Sequence, residues 1–152
     1  MTITTDKPIG GTQFMTAQPP HGFGIRFYIQ PDGSLAGQLT LDEAKEGPPQ
    51  HVHGGALIAM LDEAMGACAW QHGYRVVAVN LQFDLKRAVP LNTEIIVRGW
   101  VEAKEGRKVW TLGEVLLPGG IVAVSAHGLF LEAPEYVGKP GDYDPFQMDA
   151  GK

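Results

Sequence analysis

The amino-acid sequence predicts an α+β fold in which an antiparallel sheet of about six strands wraps round one long central helix. Three observations carry that expectation. Residues 55–71, GALIAMLDEAMGACAWQ, contain no Pro and almost no β-branched residue, while Ala, Leu and Met dominate, so helix propensity and length agree. Two β-prone runs precede this segment, and four runs follow it at hairpin spacing. The single apolar helix between them needs a sheet to cover it.

The elements follow in chain order. Residues 1–21 are rich in Gly, Pro, Thr and Gln without a lasting period, and read as a mobile arm or a packed irregular lead-in. FGIRFYIQ (23–30) and SLAGQLTL (34–41) flank a Pro-Asp-Gly turn at 31–33, which predicts a hairpin. DEAKEGPPQH interrupts the pattern before the helix. That helix is apolar nearly all round, so it is expected to be buried on most sides rather than to lie on a surface. After HGYR, the residues Val77, Val79, Leu81, Phe83 and Leu85 share one parity, against a mostly polar set of Ala78, Asn80, Gln82, Asp84 and Lys86; this is a long half-buried strand. TEIIVRGWVEA (93–103), KVWTLGEVLL (108–117) and IVAVSAHGLFLEA (121–133) complete the sheet through KEGR and PGG turns. The tail from Pro134 has no core pattern, so the organisation is a lead-in (1–21), one folded domain (22–133) and a peripheral tail (134–152). Apolar surface left on the helix calls for a partner subunit.

Composition narrows the function classes. The chain has 152 residues, enough for one domain to bury about two-thirds of its unfolded surface without a staple. Its one cysteine, Cys68, lies in the apolar segment and reads as a small buried hydrophobe in a reducing compartment. A net charge of −5 argues against a general nucleic-acid binder. The start, MTITTDKPIGG, lacks the basic end and apolar run of a secretory signal, and no stretch approaches the roughly 20 apolar residues of a membrane span. A cytoplasmic protein is expected, with neither nucleic acid nor membrane as partner.

HGGALIAMLDEAMG, followed by VNLQFDLKRAVPLNTEIIVRGWV, resembles the PaaI-like hotdog-fold acyl-CoA thioesterases. Their signature is a His-Gly-Gly at the start of the central helix with an acidic residue nine positions after the His; from His53 the count lands on Asp62. The likeness covers roughly Gly47 to Glu132. It implies the hotdog fold, a homodimer and a thioester substrate, and leaves open whether dimers pair into a homotetramer. Some relatives carry an Asn where this chain has Gly47, and a Ser or Thr about where Ala78 stands. The EGPPQHVHGG lead-in with LDEAMG looks like a subgroup that does without both.

The residues also have a reading of their own. A helix N-terminus presents unpaired N–H groups and the positive end of a dipole, and glycines let a ligand approach the backbone. Gly54 and Gly55 could thus form an oxyanion hole; a tight turn after Pro-Pro accounts for the same two residues. Asp62 stands eight residues beyond Gly54, about 12 Å of helix rise, so the two cannot meet at one thioester within one helix. Two helices packed antiparallel across a two-fold axis would bring Gly54 of one subunit beside Asp62 of the other. Asp62 and Glu63 differ by about 100° round the helix, and the family count favours Asp62. Glu63 has structural roles open to it: facing the helix edge, pairing with Arg75 or Lys86, or accepting backbone hydrogen bonds. The carboxylate would activate water or attack the thioester directly through a mixed anhydride.

His51 and His53 form an H-x-H pair, a common start for a metal site, but no third ligand stands at useful spacing, so no metal or other cofactor is expected. His53 is read as shaping the helix start and His51 as lining the mouth. Lys86 and Arg87 can pair with the phosphates of CoA, although solvated turn charges are the plain alternative. Asn80, on the polar parity of its strand, completes the substrate-binding candidates. The function expected is hydrolysis of an acyl-CoA to a carboxylic acid and CoA; the alternative is a hotdog module that binds acyl-CoA without catalysis and does not depend on Asp62.

Overall fold

A computed structural model describes residues 1–147, and among them helix α2 (Gly54–Gln71) lies across a six-stranded antiparallel sheet. A short helix, α1 (Gln13–Thr16), precedes the strands β1 (Tyr28–Ile29) and β2 (Leu35–Leu39); β3 (Val76–Leu85), β4 (Ile95–Glu105), β5 (Lys108–Leu117) and β6 (Ile121–Glu132) follow α2, and α3 (Pro134–Val137) begins the tail. The strand order is β1-β2-β4-β5-β6-β3. Helix α2 packs chiefly on β4 and β5 at the centre of the sheet. Met60, Leu61 and Met65 meet Ile95, Val97, Val109 and Val115 in a core closed to water. This is the hotdog arrangement that the resemblance implies. No helix of the described residues is long and apolar enough to cross a membrane.

The close seating of α2 has a local cause. Gly99 pairs with Gly113, and Gly113 with Ala126, so a row of small residues crosses three strands beneath the helix. A Cβ at Gly99 would lie 2.6 Å from the carbonyl carbon of Ala64 and 2.7 Å from the Met65 nitrogen. Helix backbone therefore rests on sheet backbone, where any side chain would intrude.

Two expectations change. The run 23–30 was expected as a full strand, but only Tyr28–Ile29 pairs with β2. The backbone ahead of it bonds to the lead-in instead: Phe23 N–H donates to Phe14 O, Ile25 N–H to Met15 O, and Ile9 N–H to Phe27 O. Phe23, Ile25 and Phe27 are still buried, and Ile9 and Met15 of the lead-in join them. The lead-in is packed, which the absence of a period could not reveal because irregular segments carry none. The second change concerns β3. Leu81 and Phe83 are half-buried as the alternation requires, whereas Val79 and Leu85 are each 49% exposed. A register shift sits between Ala78 and Asn80, and β3 is a sheet edge; bulges favour such edges and re-aim side chains there.

Candidate active site

The helix start is built by a cap. His53 has extended backbone, and its Nδ1 accepts a hydrogen bond from Gly55 N–H at 2.8 Å. Its proton in the neutral ring is therefore on Nε2. This satisfies one of the helix's orphan donors and removes Gly55 N–H from the set available to a ligand. Gly54 N–H has no acceptor among the described residues. Space confirms the division between the two glycines: a Cβ at Gly55 would press on the His53 ring at 3.0 Å, and one at Gly54 would meet Leu85 Cδ2 at 3.1 Å. Gly47 belongs to the same corner. A Cβ there would fall 2.7 Å from His53 Cα, so the Asn of some relatives has no room on this backbone.

Strand pairing gathers the other candidates of this end. His51 bridges to Pro90, and Val52 N–H donates to Val89 O. His51 Nδ1 lies 2.9 Å from Pro49 O, an arrangement in which the ring donates. Lys86 and Arg87 hang their backbone N–H groups on Ala123 O and hold their side chains out to solvent, directly after the Leu85 that touches Gly54. His51, His53, Gly54, Gly55, Lys86 and Arg87 thus share one end of the molecule. The charge-bearing ends of Lys86 and Arg87 make no ion pair among the described residues.

The carboxylates lie elsewhere. Gly55, Ile58, Ala59, Asp62 and Gly66 form the part of α2 that the sheet leaves open. Asp62 has no hydrogen-bond or ion-pair partner among the described residues, and partial burial pushes its carboxyl above the ordinary 3.8 because neighbouring protein disfavours the charged form. Glu63 is occupied. Its carboxylate accepts from Thr12 N–H at 3.2 Å and from Thr12 Oγ at 3.1 Å. Burial raises its pKa, the bonds from Thr12 oppose the rise, and the neighbouring Asp62 adds to it. Of the roles open to Glu63, the structure selects acceptance of a backbone hydrogen bond. Nothing local in the sequence links Thr12 to a residue 51 positions away.

A groove of about 280 Å³ runs from Asp62 and Glu63 past Gly66 and Ala78 to Trp70 and Phe146. Asn80 stands on β3 two residues beyond Ala78, exposed, its Oδ1 accepting from Gln82 Nε2 at 3.3 Å. Within one chain the carboxylate group and the helix-start group stay about 12 Å apart, eight residues of helix rise. Among the described residues no cluster of three or more His, Cys, Asp or Glu could hold a metal ion. Cys68 is buried, and its thiol is pushed up to about 11 by desolvation.

Residues 49–123 match the family described as Thioesterase superfamily. Over these residues the chain is similar to that superfamily, and the relatives it matches include proteins named acyl-coenzyme A thioesterases. It is 37% identical to the acyl-coenzyme A thioesterase THEM4 of Bos taurus over 111 residues, covering 71% of this chain and 46% of that protein. The chain thus spans just under half the length of this curated relative. Among solved structures it resembles the thioesterase superfamily protein RHA08564, at 32% identity and a TM-score of 0.71, over 73% of this chain and 55% of that one. The PaaI protein of E. coli shares the fold at 17% identity and a TM-score of 0.67, over 72% of this chain and 80% of that one.

Proposed function

We propose that the protein hydrolyses acyl-CoA thioesters to a carboxylic acid and CoA, working as a homodimer with two shared sites built by the 22–133 domain. One observation carries the reading: a partly desolvated carboxylate at Asp62 and the N–H of Gly54, neither with a partner among the described residues, lie on one helix, too far apart to act together in one chain. An antiparallel second copy closes that distance twice, once for each subunit. The unpaired edge of β3, with Val79 and Leu85 exposed, supports such a partner, because a long open edge invites another strand.

In this reading Gly54 N–H holds the thioester oxygen as charge develops on it. His53 fixes the helix start, and Gly55 leaves the approach clear. Asp62 of the partner subunit either takes a proton from the attacking water or attacks the carbonyl itself, and the CoA thiolate leaves. Lys86, Arg87 and His51 face the nucleotide end, and Asn80 the acyl end. The named activity of the bovine relative supports the substrate class.

Thiol release from a panel of acyl-CoA esters, run with a chelator present, tests the proposal. Hydrolysis of at least one ester is expected, and an inert protein that still binds acyl-CoA would favour the non-catalytic module. The same assay carries a pH prediction. Asp62 acts only when ionised, so kcat/KM is expected to fall as pH drops through a pKa above the ordinary 3.8. An acid limb at or below that value would remove Asp62 from the chemistry.

A further inference from the structure

The groove beside Asp62 is closed at its far end by a residue that no motif of the helix includes. Trp70 and Phe146 meet edge to face, with ring centroids 5.4 Å apart. The indole is held from one side by its own Nε1–H, which donates to Val76 O at 3.2 Å, and lies under the Arg75 guanidinium at 4.9 Å. Phe146 is held by its backbone, for Gln71 Nε2 donates to its carbonyl oxygen. The tail that carries it is tied on both sides. Arg75 donates to the carbonyls of Val137, Asp142 and Tyr143, and Gly10 N–H of the lead-in donates to Gln147 O at 2.8 Å. Asp62 and Glu63 stand together at one end of the groove, and between them and the aromatic pair the walls are Gly66, Val77, Ala78 and Phe130, which carry no charge.

The proposed dimer decides what can fill this space. With Gly54 opposite Asp62 in antiparallel helices, position 58 is the midpoint, so Gly66 would face position 50 of the partner subunit and Trp70 position 46. Both precede Gly54, where the helix begins. The partner helix therefore ends before it reaches the aromatic end, and the chain's own Phe146 covers that stretch instead. The volume of about 280 Å³ is below the roughly 300–1,000 Å³ that encloses a whole drug-sized ligand. A slot of this size, uncharged beyond the acidic pair at its opening, suits one apolar part of a substrate.

Resting on the thioesterase reading, we infer that this groove receives the acyl chain and that Phe146, braced on Trp70, is the end wall that limits chain length. From Asp62 to Trp70 the helix rises about 12 Å, which admits a straight chain of medium length. A longer one must displace Phe146 and break its contact with Trp70.

The full-length protein, Phe146→Ala and Phe146→Trp would be compared on saturated straight-chain acyl-CoA esters from short to long. The readouts are kcat/KM by thiol release and Kd for matching non-hydrolysable thioether analogues. The alanine variant is expected to raise the long-to-short ratio about tenfold or more in both measurements, the scale at which an apolar pocket discriminates one methylene. The tryptophan variant, which keeps an aromatic on Trp70, is expected to lower it. Unchanged ratios in both variants, or a uniform change at every length, would overturn the inference. Hydrolysis with a length profile indifferent to Phe146 sinks the end wall and leaves the thioesterase reading standing. Thioether binding with a Phe146-dependent profile, but no hydrolysis of any ester, does the reverse. Failure to bind any analogue or hydrolyse any ester overturns both.

Discussion

Replacing Asp62 by Asn is expected to lower kcat by about 10²–10⁴, the span usual for loss of a positioned acid or base, while size and secondary structure stay those of the native protein. The exchange keeps the side chain's shape and removes only its charge and basicity, and Asp62 has no hydrogen bond to lose among the described residues. Glu63→Gln is expected to reduce kcat far less. A glutamine retains one oxygen that can accept from Thr12, which holds Glu63 now at 3.1–3.3 Å. Equal losses in the two variants would mean that the acidic pair acts as a unit. Mixing Asp62→Asn with Gly54→Val, after demonstrated subunit exchange, tests the shared site. In a hybrid dimer one site carries both lesions and the other neither, so activity returns only if the two residues come from different chains. Valine at 54 crowds Leu85 Cδ2, a flexible side-chain end 3.1 Å from the new Cβ, so that variant is expected to fold. Two inactive, folded variants that exchange subunits without recovering activity would defeat the composite site.

The largest effect on stability is expected at Gly99. Its Cβ would enter the backbone of α2 at Ala64 and Met65, at 2.6–2.7 Å, and backbone in the middle of a helix cannot step aside as a side chain can. Gly99→Ala is expected to cost about 1–3 kcal/mol and Gly99→Val more, the range of overpacking a filled core. Gly113→Ala makes a useful comparison in the adjacent strand. There the new Cβ would meet Leu61 Cδ2 at 3.1 Å and Met65 Cγ at 3.2 Å, both movable, with Arg98 O at 3.1 Å, so a smaller loss is expected. Urea midpoints at one protein concentration and unchanged m would measure both. A Gly99→Ala midpoint equal to the native one would show that the helix can lift off the sheet at little cost.

Much of this molecule is legible in its sequence. The helix is, because Ala, Leu and Met from 55 to 71 satisfy local propensity whatever surrounds them; so are the hairpins of the second half, where a turn and two alternating runs sit within a few residues of each other. Asp62 stood out because an ionisable side chain in an apolar helix is costly to bury without a partner. The strand expected at 23–30 failed because the partner of its backbone is the lead-in, a segment without periodicity. Val79 and Leu85 were misjudged because alternation tells which residues share a face, and not whether this chain covers that face.

By itself, then, the sequence determined the element order, the apolar helix, its His-Gly-Gly start and the carboxylate nine residues after the His, all of which depend on neighbours a few positions away. The tertiary structure decided which groups remain free to act. It occupied Glu63 with Thr12, gave Gly55 N–H to His53, left Asp62 and Gly54 N–H without partners among the described residues, and laid Phe146 against Trp70. The His53 cap is local, but the contacts of Glu63 with Thr12 and of Phe146 with Trp70 join groups 51 and 76 positions apart through the folded path of the chain. Hydrogen-bond capacity is exhausted in space, so only the fold reveals which donor or carboxylate is left over.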